Sequence, residues 1–181
     1  MAGRSGPDPG RRAFLRGAPL TQEGRGQMAR SVERCGPLPP GLGSAAAQDR
    51  CTDCEGHCQS ACEPDVIRRH GSDHALEGQP YLVFSEAGCT LCGACAEACP
   101  AGEPWPTGQA PDIGLARLSQ DACLPWQGVL CLSCQGSCPE GALLFDRRGR
   151  PRIEETSCNG CGACVSACPV GALSVAGLSS D

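Results

Sequence analysis

The 181-residue chain is poor in the residues that ordinarily build a protein interior. Leu, Ile, Val and Phe together make 16% of it and aromatic residues only 3%. That apolar mass is too small for a sizeable core, which argues against a large enzyme domain with a deep apolar pocket. Such lean composition often goes with disorder, but the formal net charge is only -5, so charge repulsion is not what would keep the chain open. No run approaches the roughly 18 consecutive apolar residues of a membrane-spanning helix. Lysine is absent, and all 15 basic residues are arginine. The sequence also offers no phosphate-binding glycine loop, no nucleophile with a plausible base and no paired carboxylates in a defined apolar setting, so an independent enzymatic activity is not expected. Something other than hydrophobic burial must organise this chain.

What the chain has in excess is cysteine, 17 residues, a density that means a disulfide scaffold or a metal-loaded one. Sixteen fall into four runs: Cys51, Cys54, Cys58, Cys62; Cys89, Cys92, Cys95, Cys99; Cys123, Cys131, Cys134, Cys138; and Cys158, Cys161, Cys164, Cys168. The second and fourth fit C-x2-C-x2-C-x3-C-P, completed by Pro100 and Pro169, the bacterial ferredoxin pattern for a 4Fe-4S cluster. The first run carries one extra residue between its second and third thiols and ends Cys62-Glu63-Pro64 instead of C-P. The third is stretched earlier, with seven residues between Cys123 and Cys131, and keeps Pro139 after its last thiol.

Two-residue gaps let three thiolates reach three corners of one small cuboidal cluster while the backbone curls around it. Gly93, Gly160 and Gly162 lie inside these curls, where a residue without Cβ takes positive φ and brings backbone N–H groups toward sulfur. The fourth thiol of such a run serves the neighbouring cluster in two-cluster ferredoxins. The expected ligand sets are therefore Cys51, Cys54, Cys58 with Cys99; Cys89, Cys92, Cys95 with Cys62; Cys123, Cys131, Cys134 with Cys168; and Cys158, Cys161, Cys164 with Cys138. Four 4Fe-4S clusters result.

Disulfides compete poorly, because they need export to an oxidising compartment and cysteines two or three residues apart seldom pair with each other. Structural zinc would leave the third cysteine of every run and each C-P unexplained. His57 lies inside the first run, where four thiols are already present, and is read as a solvated loop residue. His70 and His74 have no acidic or thiol partner at a telling spacing and are read as surface residues, and Cys35 as a free thiol.

Residues 139–143 read P-E-G-A-L and residues 169–173 read P-V-G-A-L, an internal repeat directly after two of the runs. Short apolar segments flank the runs as strands: Leu82 to Phe84, Leu143 to Phe145, Ile153, and Leu173 with Val175. Arg147 to Arg150 reads as a hairpin turn. Ala96 to Ala98 and Val165 to Ala167 favour helical turns. The expected fold class is α+β, two tandem dicluster-ferredoxin-like modules of small strand–loop–helix repeats over 49–100 and 121–181. Pro104, Pro106 and Pro111 with Gly102, Gly108 and Gly114 mark 101–120 as a linker without regular structure. Trp105 and Trp126 stand beside prolines and are expected to pack over a cluster edge.

Residues 1–48 form a basic segment rich in Arg, Gly and Pro. The rest is acidic, and four all-thiolate oxidised clusters would each add about -2 to it. In the basic segment Arg11-Arg12-Ala13-Phe14-Leu15-Arg16 resembles a twin-arginine export motif. The apolar stretch an export signal needs does not follow, since Glu23, Arg25, Arg30, Glu33 and Arg34 interrupt it. The motif reads instead as a retained recognition segment, with Arg11, Arg12 and Arg16 against an acidic partner surface and Phe14 and Leu15 as apolar anchors.

The chain resembles the NapF family of ferredoxin-type proteins, accessory to periplasmic nitrate reductase systems. The resemblance rests on G-R-R-A-F-L-R-G at 10–17, the enlarged first run, D-A-C-L-P-W-Q at 121–127 leading into C-L-S-C-Q-G-S-C, and C-N-G-C-G-A-C-V-S-A-C-P at 158–169. It implies four 4Fe-4S clusters and a cytoplasmic location. It further implies action on the catalytic molybdenum subunit of nitrate reductase before export, helping to insert or reduce that subunit's own iron–sulfur cluster. Two functional classes stay open: a maturation factor of this kind, and an electron carrier whose acidic surface docks on a basic patch of a redox partner.

If iron replaces an apolar core, chelation under reducing conditions should abolish most regular structure. Far-UV circular dichroism of the stripped chain measures this; an iron-free chain that kept its folded signature would contradict the reading.

Overall fold

A computed structural model describes residues 35–42, 50–102 and 113–177. With 25 glycines and 16 prolines in the chain, no regular element among the described residues exceeds five residues. Strand β1 (Ile67–Arg69) pairs antiparallel with β2 (Pro80–Leu82), Ile67 opposite Leu82. Strand β3 (Gly114–Leu118) pairs antiparallel with β6 (Leu173–Gly177), Gly114 opposite Gly177 and Leu118 opposite Leu173. Between them in sequence, β4 (Leu143–Phe145) and β5 (Pro151–Ile153) form a third antiparallel pair. Three single-turn helices, α1 (His57–Ser60), α2 (Ala94–Glu97) and α3 (Ala163–Ser166), lie within the first, second and fourth cysteine runs.

The β4–β5 turn is built by Asp146. Its Oδ1 accepts the amides of Arg148 and Arg150 at 2.8 and 3.0 Å, and Oδ2 accepts from Arg150 Nε at 2.9 Å. The Arg150 amide, with the other donors, holds this carboxyl below the ordinary carboxylate range. Trp126 closes over the same hairpin, donating from its ring N–H to the Pro151 carbonyl at 3.1 Å, with the Arg150 guanidinium 4.8 Å from its ring centre. Trp105 lies outside the described residues.

Two expectations about organisation need correction. The stretch 101–120 is not wholly irregular, because Gly114–Leu118 forms strand β3. Its three prolines all precede Ile113, and Gly114 lets the strand approach β6, since a Cβ there would collide with the Ala176 carbonyl. The pairing with β6 supplies what the weak strand sequence G-L-A-R-L does not. Likewise the basic N-terminal segment is not a tail throughout. Residues 35–42 lie against the first half, the Leu82 amide donating to the Pro37 carbonyl at 2.8 Å and Leu42 only 3% exposed.

The two halves share one interior. Leu42, Val66, Ile67, Leu82, Phe84 and Ile113 form a single buried cluster with the thiols Cys58 and Cys95, and Leu91, Val165 and Val175 pack against it. Phe84 of the first half abuts Gly162 of the second, and the Cys89 amide donates to the Cys161 carbonyl at 2.7 Å. A third of this interior and its margin is cysteine, Cys58 and Cys95 within it and Cys62, Cys89 and Cys99 against it, which is how so little aliphatic residue suffices.

Gly162 adopts φ +76°, and a Cβ there would fall on the Phe84 ring; Gly171 adopts φ +62° with open space around it. Alanine at either position meets the left-handed penalty of about 1–2 kcal/mol, and only Gly162→Ala adds overpacking of typically about 1–3 kcal/mol. Thermal melts should place Gly162→Ala clearly below Gly171→Ala. Equal melting would show that the Phe84 contact is not a packing constraint.

Candidate metal centres

Three of the four runs are built alike. Gly56, Gly93 and Gly162 adopt left-handed φ of 84°, 79° and 76° and precede α1, α2 and α3. The second residue of each helix is the third thiol of its run, Cys58, Cys95 or Cys164. The left-handed residue reverses the chain after the second thiol, and the helical turn then points the third thiol back toward the first two. Backbone amides reach several sulfurs: Gly56 to Cys54 and Leu91 to Cys89 at 3.4 Å, Ala116 to Cys158 at 3.4 Å, Ala142 to Cys138 at 3.3 Å and Ala172 to Cys168 at 3.2 Å. Such N–H donors suit thiolate, not neutral thiol.

The third run departs from this plan. No helix lies between Cys131 and Cys138. Cys123 instead precedes a 3-10 turn, Leu124–Gln127, and the chain loops out through Val129 and Leu130 before Cys131.

The fold brings many of these thiols close enough to act on one another electrostatically. Cys58 is repelled by Cys99, Cys51 and Cys54. Cys89 has Cys62 and Cys92 as neighbours, and Cys95 has Cys89 and Cys62. Cys134 interacts with Cys168, Cys123 and Cys131, and these four line one cleft. Cys164 interacts with Cys161, Cys158 and Cys138. Each fourth thiol therefore acts across its pair. Two further interactions cross between groups: Cys95 with Cys58 inside the first half, and Cys89 with Cys161 between the halves.

Burial is the largest influence on most of these thiols. It pushes Cys58 up to about 11, and Cys95 and Cys164 up to about 12, with neighbouring thiols adding repulsion. Cys89, Cys123, Cys134 and Cys161 are raised as well, again chiefly by burial. Cys131 moves the other way: the backbone and hydroxyl of Ser133 stabilise its thiolate. Thiols so raised stay protonated near neutral pH unless a cation among them stabilises the thiolates, and four such donors around one point fit iron–sulfur ligation.

His57 is exposed at the first position of α1, not in a loop. His70 is not a surface residue: it is 6% exposed, its ring stacked on that of half-buried His74 and packed near Tyr81. Nothing in the local sequence signalled that burial, which follows from the β1–β2 pairing. Arg11, Arg12, Phe14, Leu15 and Arg16 lie outside the described residues.

A family model described as a 4Fe-4S dicluster domain matches residues 50–103 and again 129–172. The ferredoxin-type protein NapF of Escherichia coli K12 is 37% identical over 129 residues, covering 68% of this chain and 73% of its own length. The chain belongs to the NapF-like ferredoxin-type 4Fe-4S proteins. NapF of Haemophilus influenzae is 33% identical over 130 residues, 70% of each chain. The ferredoxin-type protein NapG of Escherichia coli K12 is 30% identical over 197 residues, 93% of this chain and 85% of its own. The family carries 4Fe-4S clusters in tandem dicluster segments. Among the described residues no helix is long and apolar enough to cross a membrane.

Thiolate is the reactive form, so a lowered value gives more of it at a given pH and a raised value less. During partial iron loss, alkylation should reach Cys131 below the ordinary thiol value of 9.0 and Cys58, Cys95 and Cys164 only above it. Peptide mass spectrometry reads the order; equal labelling of Cys131 and Cys164 at about pH 8 would contradict this arrangement.

Proposed function

We propose that this chain is a cytoplasmic accessory protein with four 4Fe-4S clusters that assists the catalytic molybdenum subunit of a periplasmic nitrate reductase before export, by inserting or reducing that subunit's own iron–sulfur cluster. The ligands are Cys51, Cys54, Cys58 and Cys99; Cys89, Cys92, Cys95 and Cys62; Cys123, Cys131, Cys134 and Cys168; and Cys158, Cys161, Cys164 and Cys138. When bound, such clusters supply one-electron chemistry, tuned by amide-to-sulfur hydrogen bonds and exposure. The chain has no independent catalytic activity.

The observation that carries the reading is where apolar surface is left in the open. The large exposed hydrophobic residues among the described ones are Val129, Leu130, Leu132 and Val170, 52%, 86%, 47% and 43% exposed. The first three surround Cys131 in sequence, and Val170 lines the cleft that holds Cys123, Cys131, Cys134 and Cys168. Exposed apolar groups gathered beside one site, in a chain with so few to spare, mark a protein-docking surface. The same run lacks the left-handed glycine and α-helical turn that set the third thiol in the others, and its first thiol is instead followed by a 3-10 turn and a long loop. Arg11, Arg12 and Arg16 with Phe14 and Leu15 provide a second, basic contact to the same partner.

An electron-carrier reading is favoured by a different observation. The regular second and fourth runs back onto each other through the Cys89 amide and Cys161 carbonyl, which brings the ligand loops of the two halves together.

One experiment separates them. In cells lacking this chain, the isolated nitrate reductase catalytic subunit should be deficient in iron. Leu130→Asp should keep the chain's own iron and weaken association with that subunit roughly tenfold, the scale of losing one anchor of about 1–2 kcal/mol. A fully iron-loaded, active subunit from the deletion strain would overturn the maturation role and leave the carrier.

A further inference from the structure

The seventeenth cysteine does not stand alone in the fold. Residues 36–37 lie along β2, with Gly36 against the Leu82 carbonyl and the Pro37 carbonyl accepting the Leu82 amide at 2.8 Å. This docking delivers Cys35 to the end of the β1–β2 hairpin. There His70 directly follows β1, its amide donating to the Gln79 carbonyl and its carbonyl accepting from Gly78, both at 3.0 Å. His74 is brought round by a turn in which its amide donates to the Gly71 carbonyl at 3.1 Å. One ligand atom from each of Cys35, His70 and His74 lies within 4.8 Å of the other two. The two imidazoles are stacked with ring centres 4.1 Å apart.

We propose that Cys35, His70 and His74 form a mononuclear zinc site, separate from the sixteen clustered thiols. One thiolate and two imidazoles are a borderline-soft N/S donor set, which suits Zn2+ and not the oxygen-seeking Ca2+ or Mg2+. Tetrahedral zinc holds such atoms about 3.3–3.6 Å apart, from bond lengths of about 2.0–2.1 Å to nitrogen and 2.3 Å to sulfur, so binding draws the atoms about 1 Å closer and turns half-buried His74 out of the stack, because each nitrogen lone pair lies in its ring plane. The His-x3-His spacing is one that zinc sites use; the thiol partner lies far upstream, where sequence spacing does not reveal it. The Leu76 amide donates to Nδ1 of His74 at 3.0 Å, fixing that ring, and coordination through Nδ1 exchanges this bond for the metal. Three protein ligands leave the fourth position to solvent on the exposed Cys35 side. Bound zinc would pin the end of the basic N-terminal segment to the first half. The inference does not depend on the nitrate reductase reading.

The test uses the anaerobically purified, iron-loaded full chain, dialysed against buffered Zn2+, with zinc and iron counted together and the zinc shell read by X-ray absorption. The expected result is about one zinc per chain, bound by one sulfur and two nitrogens. Cys35→Ser and His74→Ala should each bring zinc close to none while the iron count stays at the wild-type value. No retained zinc, a shell of four sulfurs, or zinc retention unchanged in His74→Ala would overturn the proposal. Should a variant lose iron and zinc together, the wild-type shell decides: mixed nitrogen and sulfur supports the site and sulfur alone refutes it.

Discussion

Mutual repulsion among thiolates is the constraint on which this structure depends. Cys58 feels Cys99, Cys51 and Cys54, and Cys164 feels Cys161, Cys158 and Cys138, in surroundings that already disfavour charge. Unlike charges at such spacing attract more strongly as water is removed, and like charges repel more strongly by the same argument. A fold that gathers four thiols at a point therefore holds together as thiolates only around a multivalent cation core. Once that core is granted, the rest is proportionate: elements of three to five residues, one-turn helices, and an interior in which Cys58 and Cys95 take places that Leu or Ile would hold elsewhere.

How much of this was legible depends on whether the cause is local. The ligand groups are read from spacing, because two-residue gaps and a left-handed glycine act within one turn of chain, and thiols of one group are electrostatic neighbours in the fold. The β4–β5 hairpin is equally local, closed by Asp146 onto Arg148 and Arg150. Strand β3 is not. G-L-A-R-L has little strand character of its own and forms because β6, some sixty residues on, offers it a ladder. The same holds for residues 35–42, whose Leu42 and Pro39 are buried by contacts with the first half, and for His70, placed inside by pairing between β1 and β2. Composition called these segments linker, tail and surface because composition reports a residue's preference and not its neighbours.

The two irregular runs look alike as spacing anomalies, and the fold treats them differently. The extra residue of the first run is absorbed: buried Gly56 lies against the Arg69 side chain, and Arg69 donates from Nη2 to the Cys51 carbonyl and from Nε to the Gly78 carbonyl, both at 2.8 Å. That guanidinium straps the loop to the β1–β2 hairpin, and Cys58 ends up buried. The third run is held differently, by Trp126, whose ring N–H donates to the Pro151 carbonyl of the β4–β5 hairpin at 3.1 Å. Its seven-residue excursion leaves Leu130 almost wholly exposed, and Ser133 stabilises the thiolate of half-buried Cys131.

Under the proposed function, this asymmetry bears on where exchange with a partner would take place. The second and fourth runs meet at Phe84 and Gly162 in the shared interior, where a bound cluster would be shielded on that side. Ligand exchange needs a thiolate that is accessible and a loop that moves without disturbing the core. The third run places exposed apolar residues, Val129, Leu130 and Leu132, around half-buried Cys131. Enlarged spacing is thus not by itself a sign of lability. Both enlarged loops are tied to a hairpin, the first by Arg69 on the Cys51 carbonyl and the third by Trp126 on the Pro151 carbonyl; the difference is that the third loop runs on past its tie and leaves Leu130 in solvent.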